Sequence, residues 1–80
     1  MTPDQLSERR RHIDWAITRA TDYISANRGD LALPSFVSDM SKGRDLGVPP
    51  LSKDALGRGM ALDRVGDREG LRKWIESFRT

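Results

Sequence analysis

Apolar residues in this chain return every three or four positions in four separate stretches, and nowhere do they alternate with polar ones for long enough to build a strand face. That rhythm predicts helices joined by short breaks. The first stretch runs through Leu6, Ile13, Ala16, Ile17, Ala20, Tyr23 and Ile24. It opens on Thr2-Pro3-Asp4-Gln5, where Thr2 suits a cap, Pro3 the first helical position and Gln5 the return bond of a capping box. Asn27-Arg28-Gly29 closes it, with Gly29 expected in the left-handed position, so the spacing predicts a helix over residues 3–26. Its first half is highly charged, which leaves the second half to do the packing.

Leu33, Phe36, Val37 and Met40 carry the second stretch, with Pro34 in the first turn and Gly43 at the end, a helix over 34–42. Residues 45–50 read as a turn or extended link, because Pro50 keeps Pro49 out of the helical region. Ser52 suits the cap of a third helix whose inner face is Ala55, Leu56, Met60 and Leu62. Gly57 and Gly59 each cost ~1 kcal/mol in a helix interior, so this element is expected to be short or irregular. Asp67 then caps a fourth helix built on Leu71, Trp74, Ile75 and Phe78, with Glu69 and Lys73 paired on its outer side.

The fold expected is all-α: a small compact bundle of about four helices around a Gly/Pro corner, helix-turn-helix-like in its middle, and one domain over residues 1–80. Nothing covalent supports it. There is no cysteine, hence no disulfide and no thiolate, and the single histidine, His12, leaves a structural zinc short of ligands. No metal and no cofactor are expected. No apolar run approaches the length of a membrane span, and residues 1–5 lack the pattern of a signal peptide. With no cysteines, a cytoplasmic location is expected.

The net charge is only +2, from 14 basic and 12 acidic side chains, so distribution matters more than the total. Residues 1–29 carry five basic and four acidic groups, and residues 50–80 carry seven and five. No segment is strongly basic, and a nucleic-acid contact would have to concentrate its cations on one face.

The second and third helices with the Leu46-Gly47-Val48 turn resemble the outline of a helix-turn-helix, in which the second helix enters a major groove. Lys53, Arg58 and Arg64 would lie on or beside the reading helix, with Lys42 and Arg44 at the corner; Asp54 opposes phosphate there. The bland alternative is an ordinary helical corner. Arg9, Arg10 and Arg11 spread over about 200° of a helix, too wide for one patch. They suit phosphate contact or a solvated face, with Arg10 and Arg11 in reach of Asp14. Gly57-Arg58-Gly59 without a preceding strand reads as helix breakage before phosphate binding. Trp74 sits within an apolar stripe and is expected in the core. Trp15 lies off the main stripe, where a large aromatic suits an interface anchor.

No constellation suggests catalysis: the carboxylates are scattered and His12 has no nucleophile nearby. A non-enzymatic binder is therefore expected, of one of two kinds. The first is a small DNA-binding regulator of helix-turn-helix type, expected as a homodimer, contacting phosphate through Lys42, Arg44, Lys53, Arg58 and Arg64. The second is a protein-binding module or inhibitor, of the kind phages direct at host defence machinery, docking on a larger complex through Trp15 and Arg9, Arg10 and Arg11. Near-balanced charge and Asp54 favour the second. The helix-turn-helix spacing and the arginine excess favour the first.

Overall fold

The computed structural model describes residues 2–79. Four α-helices follow one another, α1 (Pro3–Ser25), α2 (Ala32–Lys42), α3 (Lys53–Arg64) and α4 (Arg68–Glu76), with 3-10 turns at Gly29–Leu31 and Arg44–Leu46. No strand occurs among the described residues, so the chain builds a small all-α bundle. No helix among these residues is long and apolar enough to cross a membrane.

The helix starts follow their side chains. Gln5 N donates to Thr2 Oγ1 at 3.2 Å, and Thr2 N donates to Gln5 Oε1 at 2.9 Å, which completes the capping box. Ser52 accepts from Ala55 N at 3.1 Å, and Asp67 accepts from Gly70 N at 2.8 Å. The end of α1 differs from expectation. The left-handed residue is Asn27, with φ of 62°, and not Gly29. Arg28 N reaches back to Tyr23 O at 2.7 Å, and Asn27 N to Ile24 O at 3.1 Å, the double bond of a Schellman turn. Asn tolerates that backbone region, so the turn closes two residues early. Gly29 is buried beneath the Arg68 side chain, whose flexible end would have to shift to admit a Cβ. The turn it begins feeds directly into α2, which therefore starts at Ala32, ahead of Pro34.

The core gathers Ile13, Ala16, Ile17 and Ala20 of α1, Ala32, Phe36 and Met40 of α2, Val48 of the connection, and Leu71 and Ile75 of α4. The fully covered alanines at 16, 20 and 32 let α1 and α2 approach closely. Phe36, Trp74 and Phe78 form an aromatic cluster with ring centroids 5.2–5.6 Å apart, tilted or edge-on as ring quadrupoles favour.

α3 corrects two expectations. It runs unbroken through Gly57 and Gly59. Gly59 is the one residue of α3 that is buried, because the indole of Trp74 lies against it. With Gly59 turned to α4, Met60 is carried about 100° further round the helix and is 48% exposed, so it is not part of an inner face. α3 packs chiefly on α4 and touches α2 only slightly, with residues 43–52 between them. The bundle is thus two helical hairpins, α1/α2 and α3/α4, laid together.

α1 is 23 residues, about 34 Å, while α2 and α4 have 11 and 9. Residues 2–8 carry only exposed side chains, and no side chain of residues 2–12 is fully buried.

Candidate binding surface

Helical geometry turns Trp15 away from the Ile13–Ala16–Ile17–Ala20 stripe, and it is 40% exposed. It is nonetheless held. His12 stands one turn before it, ring centroids 5.3 Å apart, and the Arg19 guanidinium carbon, one turn after, lies 5.0 Å from the indole centroid. Both neighbours are tied in turn to Asp39 of α2. Arg19 Nε is 3.1 Å from Asp39 Oδ2, and His12 Nε2 donates to the Asp39 carbonyl oxygen at 2.6 Å. A carbonyl oxygen only accepts, so Nε2 carries the proton of that bond.

Asp39 is 1% exposed, the one charged residue in the core among the described residues. A bare carboxylate there would carry a severe desolvation cost. It is met by Arg19, by Lys42 Nζ at 3.6 Å from Oδ1, and by the Ser35 hydroxyl, which donates to Oδ2 at 3.3 Å. The cations stand half in water, so the charge is neutralised from the surface inwards. The outcome is a fixed order of groups on the α1/α2 face: buried acid, guanidinium, exposed indole.

The three successive arginines part company. Arg9 is half-buried and donates to Gly47 O at 3.3 Å. Arg10 is exposed at the edge of an apolar cleft, and Arg11 is exposed beside Glu8, His12, Trp15 and Leu46. Neither Arg10 nor Arg11 pairs with Asp14; that carboxylate meets Arg79 at 3.3 Å, because the end of the chain comes back along α1. Of the cations placed near the corner, Lys42 is engaged with Asp39 and Arg44 is exposed in the second 3-10 turn. Lys53, Arg58 and Arg64 are all exposed on α3 and form no ion pair among the described residues. Lys53 and Arg64 share one side, about 20° apart, whereas Arg58 is about 140° round from Lys53, with Asp54 between.

Trp15 was legible as a flank aromatic. Its companions His12 and Arg19 are signalled only by their spacing of three and four from Trp15. The role of Asp39 has a weaker trace, an acid set three residues after Phe36 and one before Met40 on the inward side of α2. Among the described residues no group of three or more His, Cys, Asp or Glu is placed to hold a metal ion. Comparison with protein-family models, with curated proteins and with solved structures found no match for this chain.

Proposed function

We propose that this chain is a non-enzymatic protein-binding module, docking on a larger partner through the face of α1 that carries Trp15. The observation that supports this is the state of the indole: exposed, yet already held between His12 and Arg19, with Arg19 anchored on buried Asp39. A half-exposed tryptophan with its rotamer fixed in advance is the kind of group that dominates interface energetics, since little side-chain freedom is lost on binding. Capture from cell extract tests it. A partner should persist after nuclease treatment and be lost with Trp15→Ala, by roughly 30-fold or more in affinity for a hot-spot residue. The variant should keep the helical circular dichroism of the parent. Equal capture by Trp15→Ala would refute this surface.

DNA binding is the second reading, supported by the exposed Lys53, Arg58 and Arg64, which form no ion pair among the described residues. With Lys42 committed to Asp39, these and Arg44 offer four phosphate contacts, and the log–log salt slope would be about −3 to −4. Titration of a labelled duplex decides between the two. Absence of binding at ~50 mM salt and micromolar protein removes the DNA reading.

A further inference from the structure

The core-facing stripe of α1 continues toward its N-terminus past Ile13, the last buried residue on that side. Leu6, Arg9, Arg10 and Ile13 lie within about 100° of one another, on the same side as Ile17 and Ala20. Below this stretch Met40 of α2, Pro49 of the connection and Phe78 after α4 form a floor, and the space between is an open cleft of about 360 Å3. Its walls are mostly apolar. Leu6 faces inwards and is still 40% exposed, because nothing covers it. Two arginines stand at the rim, and no carboxylate occurs among the described lining residues. Arg9 is steadied by its bond to Gly47 O; Arg10 forms no ion pair among the described residues.

Such a cleft selects its occupant on two counts. The apolar walls gain only from a group that itself leaves water, which a phosphate backbone does not offer. The concavity suits an inserted side chain and not a flat lipid surface. The cations at the rim oppose a basic segment and favour carboxylates, to which guanidinium groups can bind bidentately. We infer that this cleft takes a Leu or Phe side chain carried on an acidic segment of a partner protein, with a flanking carboxylate meeting Arg10. The inference rests on the protein-binding reading, but it concerns the side of α1 opposite Trp15.

The test uses the full chain and synthetic peptides. The probe is the blocked hexapeptide Glu-Asp-Leu-Phe-Asp-Glu. Its controls are a twin with lysine at every acidic position and one with serine in place of Leu and Phe. Methyl and amide NMR spectra are followed during each titration. The acidic apolar peptide is expected to shift the methyls of Leu6, Ile13 and Met40, and the two controls are not. Leu6→Glu and Arg10→Glu should each weaken binding by roughly tenfold or more, the first by removing buried apolar area and the second by reversing a rim charge. Both alter exposed side chains, and an unchanged circular dichroism spectrum verifies the fold. Trp15→Ala should leave the peptide affinity as it was, which separates failure of this inference from failure of the Trp15 surface. Absence of shifts at ~millimolar peptide, shifts that map elsewhere, or equal binding of either control overturns the inference. So does preferential shifting of the same methyls by duplex DNA or by vesicles of phosphatidylglycerol. A dimer in sedimentation that Leu6→Glu abolishes overturns it as well, the occupant then being a second copy.

Discussion

The same substitution made two residues apart in α3 should have opposite signs. A Cβ at Gly57 meets nothing within 4 Å, so Gly57→Ala adds helix propensity alone and should stabilise by ~1 kcal/mol. A Cβ at Gly59 would lie 2.6 Å from Cη2, 2.8 Å from Cζ3 and 2.9 Å from Cζ2 of Trp74. The indole has little room to retreat, since its ring stands edge-on to Phe36 at 5.6 Å and to Phe78 at 5.2 Å. Overpacking of this sort costs ~1–3 kcal/mol, and the wedged ring places Gly59→Ala in the upper part of that range. After the propensity gain is subtracted, Gly59→Ala should destabilise by about 1–2 kcal/mol. In a domain of this size 1 kcal/mol moves the melting temperature by roughly 4–8 °C. Thermal melts followed by far-ultraviolet circular dichroism should therefore show Gly57→Ala above the parent and Gly59→Ala clearly below it. If Gly59→Ala melts at or above the parent, α3 does not rest on Trp74 and the account of the α3/α4 hairpin is wrong.

Trp74→Ala removes one corner of the Phe36–Trp74–Phe78 cluster together with the seat of α3, and should cost about 3 kcal/mol or more; a melt within two or so degrees of the parent would contradict that placement. Asp39→Asn withdraws the charge that holds Arg19 and Lys42, and because both cations remain hydrated at the surface the loss should be about 1–2 kcal/mol, measured by urea denaturation.

The four helices were legible because each has both a period and a punctuation mark. Thr2, Ser52 and Asp67 are caps in the structure as their side chains suggest, and the apolar spacing of α2 and α4 locates Phe36, Met40, Leu71 and Ile75 in the core. What escaped the pattern depends on partners distant in sequence. Gly59 reads as a breaker until Trp74 is known to lie on it. Met60 reads as inward on periodicity, but the small face of α3 was the one that packed, and a large side chain lost its place to a glycine. The candidate surface divides in the same way. Trp15 stood out by its position off the stripe, whereas its support by Asp39 crosses 27 positions at His12, beyond the reach of any local spacing rule.

The seating of α3 also bears on how the molecule opens. The core of Ile17, Phe36, Leu71 and Ile75 is complete without it, and α3 supplies to the interior only a residue that has no side chain. Apart from Gly59, its covered residues are only half-buried, Ala55, Leu56, Leu62 and Asp63, and on leaving it uncovers the Trp74 indole. The cheapest excursion from the native state is therefore a hinged one, in which α3 lifts as a unit between the Pro49-Pro50 link and the Gly66 turn, whose glycine has φ of 74°, while the other three helices stay together. Backbone amides of α3 should therefore exchange faster than those around Ile17, Phe36, Leu71 and Ile75, which hydrogen exchange followed by NMR would measure.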